Sequence, residues 1–494
     1  MLQGCEHFLH TRSVSAAQLT MLWKTNQKAK IEQFIGHLQL RSLKCGMAPM
    51  EYSRQLQKRY GPGFEHGMFK PAALTLQLIH EALSASNVAG IFYVGPDGRG
   101  FIWFDQVPTN WLMLLHQFPA QPFRVLGTFD DGRTLLIERA IIVYIDSKMD
   151  EGFATTTNAG VLHIKNGPTR HRFTAMSISA IVLQRPHTAV STSRQLKYKL
   201  VNAIFWGTEM IPIRNSGGNY RGRFPLKTPQ RTWSLIRLPE FTAELEKDLK
   251  NGLITMLPTA TAEVAVLDEK EIQTTDKEID AICRLMSLVT DSSTTWVVRE
   301  TWSGDSQLEV FFAPHGISTD AMDKSKYDVI SNMGPGEDLK LFLESTIASF
   351  LTFQDSLRLH EVIDFLEQAR HQKVVHIQLA VEVLALELLS HAWCLKDGLT
   401  VQQLSSMHIE GKLGRMRRSF SFIEKGFTND ILRRDIRNPL IHSGQIPLLS
   451  RTDLDSWTDD LYLLALRLLF CILGYRGKYR DFSKNFTMVN APIP

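Results

Sequence analysis

The chain is poor in cysteine. Its 494 residues hold five, Cys5, Cys45, Cys283, Cys394 and Cys471, and no two form a CxxC pair. An odd, scattered set supports neither a disulfide scaffold nor a zinc site, and fits reduced thiols in a cytosol. Long apolar runs are missing too. The most apolar, residues 461–475, is too short to span a bilayer and contains Arg467. The first residues carry Gln, His and Arg where a signal peptide needs an apolar core. A soluble cytoplasmic protein with no membrane contact is expected. Charge of one sign is also lacking. Lys and Arg number 55 against 51 Asp and Glu, a net charge of +4, too mild to mark a nucleic-acid binder, so any RNA surface has to be a local patch. No GxxxxGK[ST] or GxSxG string occurs, which removes a P-loop and the common serine-hydrolase layout. His360, His371, His376 and His391 show no ligand spacing with Cys or Asp. No metal and no cofactor is expected.

What is present is an ordinary globular composition, 44% apolar and 21% charged, long enough for two to four domains. Residues 1–88 have helix formers at apolar spacing, as in residues 72–79, and predict an N-terminal helical segment. From residue 89 the texture becomes β. Ile91–Val94 and Phe101–Phe104 flank the turn Gly95-Pro96-Asp97-Gly98. Residues 123–129 and 134–137 flank Asp130-Asp131-Gly132-Arg133, a hairpin signal. Short strands continue at 141–145, 161–164, 176–183, 197–206, 233–237 and 262–267, which predicts an antiparallel sandwich or partly open barrel over 89–331. Within it, residues 214–227 are glycine-rich and basic with interleaved Tyr220 and Phe224, open both to an RNA-contacting loop and to a solvated hairpin loop. Thr275-Asp276-Lys277-Glu278 has the pattern of a capping box opening a helix whose stripe is Ile279, Ile282, Leu285, Met286 and Val289. A hairpin follows over 295–312.

Residues 332–494 read as helical throughout. Leu339, Phe342, Leu343, Ile347, Phe350 and Leu351 make one stripe and Val362, Phe365, Leu366 and Ala369 another. Residues 374–393 form a long apolar helix interrupted by Glu382 and Glu387, and 452–473 form the last. The fold class is therefore α+β: an antiparallel β-rich domain with an N-terminal helical segment, then an all-α bundle.

Between the last two long helices lies Arg437-Asn438-Pro439-Leu440-Ile441-His442-Ser443-Gly444. Asn438-Pro439 is a helix-start signal. On one straight helix, five steps of about 100° leave Arg437 and His442 roughly 140° apart. A break at Asn438-Pro439 lets them converge. The pair suits RNA cleavage, because RNA carries its own nucleophile in the 2′-OH. A histidine can move the proton off that hydroxyl and onto the leaving oxygen, while arginine holds the phosphate. The alternative is a basic helix end with a histidine near a turn. Arg433 and Arg434 before the motif, with Arg417 and Arg418 further upstream, are candidates for an RNA-binding patch; a solvated basic face is the other reading. Glu387, among Leu and Ala, has to be paired, because burying a lone carboxylate is costly. It is an accessory candidate for orienting Arg437 or His442.

The string RNPLIHSG in a helical setting resembles the HEPN family (higher eukaryotes and prokaryotes nucleotide-binding domain), whose signature is Arg, a polar residue, three variable residues and His. Arg437, Asn438 and His442 fill those places. The order of a β-rich region followed by a bundle, with the run from Gly127 to Arg133, is similar to ApeA-like HEPN proteins. The extra segment before residue 89 departs from that layout. The resemblance implies a helical bundle that pairs as a homodimer and metal-independent endoribonuclease activity with Arg437, Asn438 and His442 catalytic. It also implies a setting in bacterial antiviral defence with a phage-derived trigger. The alternative is a non-catalytic HEPN module for dimerisation or nucleotide or RNA binding, with function carried by the β-rich region.

Overall fold

The computed structural model describes residues 72–80, 83–94, 100–105, 111, 122–149, 154–156, 162–164, 169–177, 181–184, 194–212, 218–238, 258–266, 268, 270–290, 292–313, 329–330, 336–370, 372, 374–420, 431–443, 446, 451–481 and 487–491. The expected helices of residues 1–71 lie outside them.

The strands are β1 (Ala72–His80), β2 (Leu83–Val94), β3 (Gly100–Asp105), β4 (Phe123–Phe129), β5 (Thr134–Met149), β6 (Ala154–Thr156), β7 (Leu162–Ile164), β8 (Thr169–Ser177) and β9 (Ile181–Gln184). Next come β10 (Arg194–Val201), β11 (Glu209–Pro212), β12 (Asn219–Lys227), β13 (Thr232–Arg237) and β14 (Pro258–Val266). Helix α1 (Glu271–Val289) precedes the hairpin β15 (Thr295–Ser303) and β16 (Ser306–Phe312). The helical stretch holds α2 (Glu337–Phe353), α3 (Leu359–Arg370), α4 (Val375–Lys396), α5 (Val401–Ser405) and α6 (Ile409–Ser419). A π-helical turn (Ile431–Arg437), α7 (Asn438–Ser443), α8 (Arg451–Leu473) and the strand pair β17 (Lys478–Asp481) and β18 (Thr487–Asn490) complete it. The α+β class with antiparallel sheets is as expected.

The chain forms two compact units, one of residues 1–197 with 297–318 and the other of 198–296 with 319–494. In the first, two consecutive three-strand meanders, β1-β2-β3 and β4-β5-β8, close on each other. β1 pairs with β4 and β3 with β8, all antiparallel, so the six strands return on themselves. β5 is long enough to pair with β9 as well, and β9 carries the β16–β15 hairpin. Leu76, Leu78, Phe92, Ile102, Val125 and Ile137 fill the interior. Gly127 faces inward opposite Leu76, and a Cβ there would stand 2.4 Å from Leu74 Cδ1, so a side chain would have to push the Leu74 methyl aside. The β4–β5 turn closes with Gly132 at φ +79° and the Gly132 N–H donating to the Phe129 carbonyl at 3.0 Å.

Residues 72–80 are a strand, which corrects the helix expected there. Leu74, Leu76 and Leu78 are buried while Thr75 and Gln77 are exposed, a period of two that outweighs the helix-forming composition. The 88/89 boundary consequently falls inside β2.

In the second unit β11, β12, β13 and β14 pair antiparallel in that order, with β10 next in the sheet. Most of the basic run 214–227 belongs to β12 rather than to a loop. Helix α1 is joined to this sheet by aromatic and polar contacts. Tyr198 Oη donates to Asp276 at 2.8 Å, Trp296 Nε1 donates to Asp280 at 2.6 Å, and the Tyr198 ring stacks near Trp233 and Trp296. The expected capping box is absent. Helix α1 begins at Glu271, Thr275 Oγ1 donates back to the Glu271 carbonyl, and Glu278 forms an ion pair with Arg231 at 3.0 Å. The predicted α1 stripe is buried in full. The sheet and α1 belong to the same compact unit as the C-terminal helices, and that unit runs across residues 331 and 332.

Helix α4 is the hub, packed on α3, α6 and α8. It buries Glu382 completely. The carboxyl accepts one bond from Gln378 Nε2 at 3.0 Å, and its Oε2 has no hydrogen-bond partner among the described residues. Desolvation pushes its pKa well above the ordinary 4.5, and Asp459 adds repulsion. A proton held in the folded state and released in the unfolded one makes stability fall as pH rises above about 4.5. Glu382→Gln is expected to flatten that dependence and to be the more stable chain near neutrality. Urea unfolding at about pH 5 and about pH 8 tests this, and an unchanged slope would contradict it.

Candidate functional site

The π-helical turn is wedged between α4 and α6. Its ladder runs i→i+5, a winding found mostly as single turns and often at functional positions. Pro439 offers no N–H to the turn behind it, and the winding changes from π to α between Arg437 and Asn438. Asn438 thus opens an α segment, as its Asn-Pro pair suggests. The chain break expected there is absent, and the helix runs on with altered pitch to His442 and Ser443.

Leu432 and Ile436 are buried and anchor the π turn, while Arg437 and Asn438 are half-buried. Arg437 Nε donates to Glu387 Oε1 at 2.5 Å, and its Nη1 donates to Asn438 Oδ1 at 3.3 Å. The two partners of the Arg437–Glu387 pair keep 30% and 26% of their side-chain surface. Glu387 comes from α4, where it is flanked by buried Leu386 and Leu389. The structure therefore brings Arg437, Asn438 and Glu387 together, and the α7 backbone carries His442 five residues beyond Arg437. A guanidinium held at Nε by a carboxylate and at Nη1 by an amide keeps its remaining N–H groups for an anion.

Removing the carboxylate tests that orienting role. Glu387→Ala is expected to lower RNA cleavage about tenfold, the scale of a loosened supporting contact. The unfolding free energy should move by less than about 1 kcal/mol, because the pair is partly solvated. Glu387→Gln should recover part of the rate. A stability loss matching the rate loss would make the contact merely structural.

The four arginines assigned to RNA separate into two sets. Arg433 Nε stands 3.8 Å from Glu410 of α6, and Arg434 Nε donates to its neighbour Asp435 at 2.9 Å. Arg417 and Arg418 lie in the last turn of α6, with Arg418 exposed. Arg415 is tied to Asp397. The basic surface is therefore interleaved with acids. Beside Arg433 an open cleft of about 480 Å³ is lined by Gln403, Ser406, His408 and Glu410. No sequence signal pointed to Glu410 or His408, because α5 and α6 meet Arg433 only through packing. Among the described residues no three His, Cys, Asp or Glu side chains gather as metal ligands would. One described helix, α4, is long and apolar enough to cross a membrane, and half of its most apolar window is buried against the rest of the chain.

Comparisons with protein-family models, curated proteins and solved structures return no match to this chain. The likeness to HEPN proteins rests on the RNPLIHSG string and its helical setting.

Proposed function

We propose that the second unit is a metal-independent endoribonuclease of HEPN type, active as a homodimer. The observation that carries this is the Glu387–Arg437–Asn438 cluster at the change of winding, one α-helical segment ahead of His442. In the mechanism His442 takes the proton of a ribose 2′-OH, and the 2′-oxygen attacks the adjacent phosphorus. Arg437 neutralises the added charge on the phosphoryl oxygens. The bond to the 5′-oxygen breaks and that oxygen receives the proton, leaving a 2′,3′-cyclic phosphate and a 5′-hydroxyl. Asn438 holds the guanidinium plane. Arg417, Arg418, Arg433 and Arg434 would contact the RNA backbone. By the same resemblance the setting is bacterial antiviral defence, with a phage-derived trigger acting on the β-rich unit.

The test is incubation of the purified full chain with end-labelled RNA in EDTA. Fragments ending in cyclic phosphate, absent with His442→Ala, are the expected result. Cleavage lost in EDTA and restored by magnesium, or cleavage equal in both chains, would overturn the mechanism. One observation favours a second reading: Arg433 and Arg434 already face acids, as in a binding or dimerisation module that needs no free cationic groove. Under that reading RNA is bound or ignored, and never cut.

A further inference from the structure

The open cleft beside Arg433 has no part in the chemistry proposed above. At about 480 Å³ it is the size of a small-molecule pocket. Three elements build it: Gln403 comes from α5, Glu410 from α6 and Arg433 from the π-helical turn. Its two charged walls stand side by side without joining. Arg433 Nε lies 3.8 Å from Glu410 Oε1, beyond hydrogen-bond length. Glu410 keeps 13% of its side-chain surface and Arg433 keeps 45%. Gln403 Oε1 is occupied, accepting from the Thr400 N–H at 2.9 Å, so its amide can only donate into the cleft. Half-buried Met407 and exposed His408 complete the lining.

We infer that this cleft takes the base of a guanine nucleotide in single-stranded RNA. An ionised carboxylate is acceptor-only and has two oxygens to satisfy. Of the four RNA bases, guanine alone sets two N–H donors side by side on its Watson–Crick edge, N1–H and the N2 amine. Its O6 acceptor stands next to them, where an arginine donates. A guanidinium beside a carboxylate, with a gap between them, presents that order in reverse: Arg433 for O6 and Glu410 for N1–H and N2–H. Adenine and cytosine offer one amine next to an acceptor, and uracil one N–H between two acceptors. Each would leave one Glu410 oxygen without a proton, the loss by which a hydrogen-bonding site rejects an analogue. A free phosphate is disfavoured by the same carboxylate. Met407 and His408 supply the polarisable and aromatic surfaces against which an unstacked base rests.

The cleft adjoins the candidate site. Arg433 and Arg437 begin and end a four-residue step on the π-helical turn, whose ladder closes at five, so they lie close to one turn apart on the same side. A base is a few bonds from the phosphates of its own nucleotide. Guanine seated against Glu410 would therefore choose which phosphate reaches Arg437. The guanine site stands on the cleft alone; only the statement that the RNA is cut beside it rests on the proposed nuclease.

The experiment uses the full chain carrying His442→Ala, so that the measurement does not depend on cleavage. Fluorescence anisotropy reads the affinity of labelled oligouridylates that carry one guanosine, adenosine, cytidine or inosine at the centre. The guanosine strand should bind at least about tenfold more tightly than the adenosine and cytidine strands, the scale of a two-bond base contact. Inosine keeps N1–H and O6 but lacks the N2 amine, and should fall between. Glu410→Gln, equal in size but no longer acceptor-only, should erase the preference. Ser406→Trp, at an exposed residue of the lining, should erase it by filling the cleft while the unfolding midpoint holds. Equal affinity for all four strands, or a preference that survives both substitutions, would overturn the guanine site. GMP alone should compete only weakly; GMP that binds as tightly as the guanosine strand would assign the cleft to a free nucleotide and overturn the RNA reading. With His442 restored, cleavage indifferent to guanine would overturn the site and spare the nuclease. Guanine-selective binding that leaves the RNA intact would do the reverse.

Discussion

Alanine at His442 is expected to lower cleavage of single-stranded RNA about a thousandfold, inside the roughly 10²–10⁴ range of a general acid–base group. Alanine at Arg437 should cost a comparable factor, about 10²–10³, because it removes charge stabilisation needed only as the phosphoryl group becomes more negative. The two losses should not multiply in the double variant, since residues acting on one transition state are strongly non-additive. Arg437→Lys is the sharper variant. It keeps the charge but loses the planar fork that reaches Glu387 and Asn438 while presenting N–H groups to phosphate, and should stay within about tenfold of Arg437→Ala. Single-turnover rates on a labelled oligonucleotide read all four chains. Full activity in Arg437→Lys would mean that a point charge suffices, and the positioned guanidinium would lose its role.

The second large effect is on stability. Arg467 on α8 donates to Tyr479 Oη at 2.6 Å and to Asp481 Oδ2 at 2.9 Å. Asp481 is wholly buried, and Arg467 keeps 15% of its side-chain surface. Arg467→Met preserves bulk but takes the guanidinium away from that carboxylate. The cost should be about 3–5 kcal/mol, the usual penalty for breaking a buried pair from one side. Pairing it with Asp481→Leu should recover most of the loss, because an apolar pair of similar size commonly replaces a buried ion pair at little cost. Denaturant unfolding of the full chain, followed by Trp fluorescence, measures both. A single variant within about 1 kcal/mol of wild type would show that other partners already hold Asp481.

What could be read from the sequence was local. The turn at Asp130–Arg133 shows in its residue types, since Gly132 takes a left-handed φ. The stripes of α1, α2 and α3 show in their 3.6-residue period. That of α1 is buried in full; in α2 Leu339, Phe342, Leu343, Ile347 and Phe350 are buried with Leu351 half-covered, and in α3 Val362, Leu366 and Ala369 are buried with Phe365 half-covered. What stayed hidden depended on distant partners. Residues 72–80 look helical by composition and become a strand because β2 and β4 lie on either side. Thr275 and Glu278 have the spacing of a cap, but Glu278 is engaged by Arg231 from the far end of a strand turn. The Arg437–Glu387 contact spans fifty residues. Its only trace was a carboxylate on an apolar helix that needed a companion. The π winding left no trace beyond Pro439.

The second unit is discontinuous: it is interrupted by residues 297–318, which fold with the first unit. A fragment cut at residue 332 would leave behind α1 and the sheet that share the unit with the bundle, so the helical part is not an excisable cassette. During synthesis the sheet and α1 emerge early and wait, and α2 and α3 pack on α1 only after the detour is finished. The Arg437 cluster is among the last parts to be assembled, so a ribosome carrying a half-made chain would hold neither Arg437 nor Asn438 against Glu387.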